Sequence, residues 1–257
     1  MNRAGMRLDR DHDRLRRLVV VYWGSVLLSL VRAQAAIPSD NWYRVLVQGS
    51  HAGFAHETFS REAAGRLDYS SELRLSLQRL GQKATVNMST EVQADAAGHP
   101  VRFLNRMDYE GQVQEVRGST ERANPTKMKI TRTAGGTVQK SELALDPGVV
   151  SSALAVEIFL EGGVRAGREG TSKVLIEEMG TAAQMNFKIL GPKGKEFEIA
   201  VDITMDQMSL KGSQTVDAEG NVLRAELPGT GFVLERATEE QAKAAPAAKA
   251  EPPKPEP

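Results

Sequence analysis

Residues Leu67 to Gln78 read LDYSSELRLSLQ, and their alternation decides the fold. The odd positions are Leu67, Tyr69, Ser71, Leu73, Leu75 and Leu77; the even ones are Asp68, Ser70, Glu72, Arg74, Ser76 and Gln78. A helix would spread both sets around its circumference. A strand places every leucine on one face and every charge on the other. One apolar face and one wet face point to an antiparallel sheet covered on a single side.

The same pattern continues outward. After Gly81, Ala84, Val86, Met88, Thr90, Val92 and Ala94 alternate with polar residues, so residues 67–94 read as one long hairpin. A second long hairpin runs through Met185, Phe187 and Ile189, turns at GPKGKE, and returns through Phe197, Ile199, Val201, Ile203 and Met205. Strands of ten or more residues exceed about 30 Å, and twist accumulates along them until the sheet curls. Shorter strands are expected over Trp42–Gln48, Phe54–Arg61, Val101–Tyr109, Gln112–Arg117, Thr126–Thr133, Thr137–Leu145, Lys173–Glu178, Lys211–Val216, Val222–Leu227 and Phe232–Arg236. The expected architecture is mainly β: a long, curled antiparallel sheet, an open or half barrel, with one central helix packed against its concave face. That helix is DPGVVSSALAVEIFLEGG, with Asp146 as N-cap, Pro147 in the first turn and Gly162-Gly163 as the stop.

Two phrases recur after alternating runs: DAAGHPV from Asp95 and DAEGNVL from Asp217. A calcium loop needs several oxygen ligands at set offsets, and these phrases have too few. They read as turns, with Asp95 and Asp217 accepting backbone hydrogen bonds and Gly98 and Gly220 supplying a positive φ. DYEGQV at Asp108–Val113 is a third instance.

The termini read differently. Six arginines between Arg3 and Arg17 precede the apolar run Leu18–Val31, which ends near Ala33-Gln34-Ala35. This is the order of a secretory signal peptide over residues 1–35; the run of 14 is short of the ~20 apolar residues of a membrane span. Residues 37–236 then form a single β-rich domain, and residues 237–257, rich in Ala, Pro, Lys and Glu, form a disordered tail. The leader holds seven Arg against three Asp, leaving 26 basic and 30 acidic residues in the rest. Such a chain has no basic footprint for nucleic acid. The expected location is outside the cytoplasm, periplasmic or secreted, with no membrane span after cleavage.

Local chemistry is sparse. The chain has no cysteine, which removes thiol nucleophiles and cysteine metal sites. His51, His56 and His99 are scattered. No nucleophile elbow, phosphate loop or zinc motif occurs, so no catalytic residue, metal site or cofactor is assigned. The remaining candidate is the apolar face itself: Leu73, Leu75, Leu77, Val86, Met88, Phe187, Ile199, Val201 and Met205 line either a filled core or a hollow for an apolar ligand. With nine Met and 5% aromatics the interior is soft and adaptable.

The stretch WYRVLVQGSHAGFAHETF, with Trp42, Gly49 and Gly53, the turn DAAGHPVRF, the strand GNVLRAE and the closing ATEEQA resemble the amino-terminal domain that precedes transglutaminase-like domains in exported bacterial proteins, and related stand-alone domains of unknown function. The resemblance implies a curled antiparallel sheet, akin in outline to periplasmic lipoprotein carriers. It carries over no enzymatic activity, because the Cys-His-Asp machinery is absent. Three functional readings follow: a non-enzymatic exported β-domain binding a partner protein or cell-envelope component; a carrier of a lipid or other apolar ligand; and a hydrolase built on scattered carboxylates.

Overall fold

The computed structural model describes residues 39–79, 82–121, 124–206 and 208–244. Residues 1–38 and 245–257 lie outside the described residues, and with them the expected signal peptide and most of the expected tail. Fifteen strands form one sheet: β1 (Ser39–Val47), β2 (Ser50–Arg61), β3 (Leu67–Arg79), β4 (Gln82–Ala94), β5 (Pro100–Tyr109), β6 (Gln112–Glu121), β7 (Asn124–Ala134), β8 (Thr137–Ala144), β9 (Val150–Ser151), β10 (Glu169–Ile176), β11 (Thr181–Lys193), β12 (Glu196–Met205), β13 (Met208–Val216), β14 (Val222–Leu227) and β15 (Phe232–Ala237). Among the described residues two short helices accompany it, α1 (Ser152–Leu160) and α2 (Glu239–Lys243).

The strand order is β8 through β1, then β15 down to β9. Among the described residues, consecutive strands from β1 to β8 and from β10 to β15 pair antiparallel, and β9 pairs parallel with β10. The sheet's middle seam, β1 against β15, joins the two ends of the domain, with Trp42 opposite Ala237. Its outer ends, β8 and β9, are consecutive in the chain and separated only by Leu145–Val149. A flat sheet of this order would hold those ends about 65 Å apart, whereas the connection spans at most roughly 20 Å. The sheet therefore curls until its ends approach, although β8 and β9 do not pair.

Contacts across the gap agree. Arg132 of β7 donates from Nη2 to the carbonyls of Met179 (2.7 Å) and Gly180 (3.1 Å) in the β10–β11 turn. Ser151 N–H donates to the Gly98 carbonyl at 3.0 Å. Gly98 has φ +86°, and a Cβ there would lie 2.2 Å from Ile158 Cδ1 of α1.

The expectation of one substantial central helix is not borne out; α1 is a short helix of nine residues. Asp146 does not cap it. Asp146-Pro147-Gly148-Val149 forms a turn closed by Val149 N–H to the Asp146 carbonyl, with Gly148 at φ +81°. Proline second and a positive-φ glycine third are the requirements of a type II turn. The chain then runs extended through β9, and the helix begins only at Ser152. All of α1 except Ile158 is buried, and apart from Ser152 and Glu157 its residues are apolar, as suits a helix enclosed by protein. The stacked rings of Phe159 and Phe187, 4.8 Å apart, tie it to β11.

The second difference lies at the tail. Residues 239–243 fold: Thr238 and Gln241 form a reciprocal capping box, and Ala242 is buried.

Candidate functional site

The nine apolar residues read as the lining of a hollow fall in one place. Leu73, Leu75, Val86, Met88, Phe187, Ile199, Val201 and Met205 are buried in a single cluster with Leu77 packed at its margin. Tyr43, Phe159, Leu160, Val174 and Ile176 fill the same cluster. Cross-strand pairs place Leu73 on Met88, Leu75 on Val86 and Phe187 on Val201. A second cluster, around Phe59, Leu67, Tyr69, Phe103, Met128 and Ile130, packs on Val149, Ala153 and Leu154. Side chains, α1 included, occupy the interior.

The two Asp phrases are turns of one design. Asp95 Oδ1 accepts the N–H groups of Ala97 and His99, both at 2.9 Å, and Oδ2 meets His99 Nδ1 at 2.9 Å. Asp217 Oδ1 accepts Asn221 N–H at 2.7 Å, and Oδ2 accepts Asn221 Nδ2 at 2.8 Å. Gly98 and Gly220 take φ +86° and +85° and return their N–H groups to the Asp carbonyls. Burial pushes the Asp95 carboxyl up, but the hydrogen bonds from His99 and from the backbone of His99 and Ala97 outweigh it and hold the group below its ordinary value. Both carboxylates are thus spent on the turn.

Sequence periodicity does not reveal a groove on the polar surface. The wet face of β2–β8 forms a groove of about 1250 Å³. The register explains its lining. Thr58, Ser70, Glu91, Leu104, Arg117, Thr131 and Lys140 stand in one row across seven strands. Two residues along each strand, Ser60, Asp68, Gln93, Arg102, Ser119, Lys129 and Glu142 form a second row. Acidic groups, Asp68 and Glu91, sit over β3 and β4; the cations Arg102, Arg117, Lys129 and Lys140 sit over β5–β8. Arg117 Nε pairs with Glu115 at 2.5 Å, and Lys129 pairs with Glu121. The Glu115 carboxyl is held below its usual range by the Arg117 hydrogen bond, and the Lys129 ammonium is raised by Glu121. A smaller groove of about 640 Å³ lies on β10–β13, between Glu169, Lys188, Asp202 and Lys211.

The interior holds a further set that sequence reasoning missed. Glu57, Glu157, Glu177 and Glu178 are all buried. Glu177 accepts Ser151 Oγ (2.5 Å) and Ser152 Oγ (2.6 Å) and also the Ser152 backbone N–H. It caps α1 from the turn that follows β10, the task read for Asp146. Burial pushes the Glu177 carboxyl up to about 7, against the lowering effect of those hydrogen bonds. Tyr69 donates to Glu57 Oε1 at 2.9 Å, and burial first, then the charge of Glu57, raise its hydroxyl well above the usual range. These carboxyls are enclosed in packed protein rather than set in a cleft. Among the described residues no group of three or more His, Asp or Glu is placed to hold a metal ion, and no helix is long and apolar enough to cross a membrane.

The chain is similar in structure to a β-barrel-like protein of the domain of unknown function DUF1849 from Brucella abortus, with a TM-score of 0.52 over 80% of this chain and 96% of that one at 10% identity. A DUF1089-family protein from Pseudomonas aeruginosa aligns over 68% of this chain and 90% of its own at 14% identity, with a TM-score of 0.35. The first likeness is one of fold alone. No family model matches the sequence, and no curated protein matches it either.

Proposed function

We propose that this protein is a non-enzymatic exported β-domain that docks a polar, charged surface of a partner protein or cell-envelope component in the β2–β8 groove. The groove is the observation that carries the reading: about 1250 Å³ laid across seven strands, with Asp68 and Glu91 over β3 and β4 and Arg102, Arg117, Lys129 and Lys140, with Glu142 among them, over β5–β8. Paired charges of both signs select partners by complementarity and steer their approach. Export is supported by the basic leader, its apolar run and Ala33-Gln34-Ala35. The kinship with domains that precede transglutaminase-like domains belongs to the same reading. An apolar carrier is the weaker alternative, because the residues assigned to its cavity pack against one another and against α1.

A photo-crosslinking residue at Leu104, between Glu91 and Arg117 in the groove, tests this in the protein's own host. It is expected to trap one dominant envelope partner. The combined Arg102→Glu and Arg117→Glu changes should reduce that product at least tenfold, while a crosslinker at Lys188 on the other half of the sheet traps none of it. Equal products from Leu104 and Lys188 would sink the reading. Lipid recovered from the purified, folded protein by denaturing extraction would favour the carrier instead.

A further inference from the structure

We propose that the β8 edge is a self-complementary surface on which a second copy of this chain pairs about a two-fold axis at Ser141.

The edge is open. β8 ends the sheet, and seven of its eight residues, Leu143 excepted, are exposed. Its only backbone partner among the described residues is β7. Which groups face outward follows from the turn. Gly135 and Gly136 both have positive φ, +55° and +81°, the mark of a two-residue type I′ hairpin. Such a hairpin closes on a hydrogen-bonded pair, here Ala134 with Thr137. Bonded pairs then recur at every second residue, as the Leu145 N–H to Thr126 carbonyl bond at 2.7 Å independently shows. The residues between them, Val138, Lys140, Glu142 and Ala144, turn their N–H and C=O groups away from β7.

An antiparallel partner strand must match those outward groups, which permits only registers two residues apart. One sets Lys140 against Lys140 of the second copy. Another sets Glu142 against Glu142. The register centred on Ser141 sets Lys140 against Glu142 twice, pairs Val138 with Ala144 twice, and uses all four outward residues. Opposite charges facing across strands stabilise a pair, and like charges oppose it. Charges on an edge usually discourage pairing; here they reject the neighbouring registers and admit one. Among the described residues the one intrachain ion pair these two make, Lys127 to Glu142, is loose at 3.9 Å and exposed. An isologous contact of this kind closes after two copies. Because Lys140 and Glu142 also border the large groove, the pairing would join two grooves across the axis. The inference itself rests on the edge and holds whether or not the groove binds a partner.

One strand pair buries far less than a standard interface, so the dimer should be weak and concentration-dependent. Sedimentation velocity from micromolar to millimolar protein should show the mass doubling. Lys140→Glu alone, or Glu142→Lys alone, should weaken dimerisation at least tenfold, and the two changes together should restore it to within a few-fold. The absence of native cysteine permits a register test. Ser141 would face its own copy in a non-hydrogen-bonded pair, where Cα atoms sit about 4.5 Å apart, within disulfide reach. Ser141→Cys should oxidise to a covalent dimer at least tenfold faster than Gln139→Cys, whose copies would be four residues out of line. A wild type that stays monomeric throughout, a dimer indifferent to the charge reversals, or equal oxidation at the two positions would each overturn the proposal.

Discussion

At the residue scale, the chemistry concentrates on Glu177. Its carboxyl is fully buried, satisfied by two serine hydroxyls and the first N–H of α1, and raised to about 7. The native state therefore keeps a proton that the unfolded chain releases in the ordinary carboxyl range. Between those two values the unfolded state binds fewer protons, so stability falls as pH rises toward about 7 and is flat above it. Glu177→Gln keeps the shape and hydrogen-bonding capacity but removes the titration. The urea midpoint of the wild type should drop between pH 5 and pH 8, and the variant should lose on the order of 1–3 kcal/mol of that drop. An undiminished slope in the variant would assign the effect to another group. None of this was legible in the sequence: the cap lies 25 residues beyond the helix start it serves, and nothing local distinguishes Glu177 from Glu178. The Asp95 and Asp217 turns were legible, because every partner they use lies within four residues.

At the element scale, period two placed the strands where packing and alternation coincide. Val222–Leu227 matches β14 at both ends, and β5, β8 and β15 differ by a residue. β9 could not be read, since two residues have no period. The start of α1 was misread because Asp-Pro opens a helix and a type II turn equally well, and Gly148 decides for the turn. α2 was lost to composition: Glu239–Lys243 looks like the start of a solvated tail, yet it docks on β1 and β2. There Ala242 is buried, and Lys243 Nζ lies 4.3 Å from the Trp42 ring centroid. Trp42 in turn stacks on His56 at 3.9 Å. Placing a carboxylate under that helix should release it without breaking the sheet. Ala242→Asp is expected to cost about 1–2 kcal/mol and to raise amide exchange across residues 239–243 to the rate of open chain, while β3 and β4 keep their protection. Loss of protection throughout the sheet would show that α2 is integral to the fold rather than appended.

At the scale of the whole molecule, the curl follows from connectivity more than from any strand. Twist bends a long sheet, which the sequence implies, but the degree of curl is set by the five-residue link from β8 to β9 and by what holds the ends together. Arg132 does much of the holding. It rises from β7 to two carbonyls of the β10–β11 turn, where Gly180 sits against Val116 and Ile130. No sequence pattern connects residues 132 and 179, so the closure could not be read in advance. The bond is charge-assisted and half-buried, which makes it worth about 1.5–3 kcal/mol. A neighbouring cation on the same strand offers the comparison. Lys129 pairs with Glu121 on the exposed surface, where solvent screens the pair and leaves it little net worth. Arg132→Ala should therefore lower stability by about 2 kcal/mol, and Lys129→Ala should shift the urea midpoint far less. The hydrogen-bond ladder is unbroken from β8 to β9, so unfolding should remain one transition in both variants. Equal losses at the two positions would mean that Arg132 is merely another surface cation and that the linker alone keeps the sheet curled.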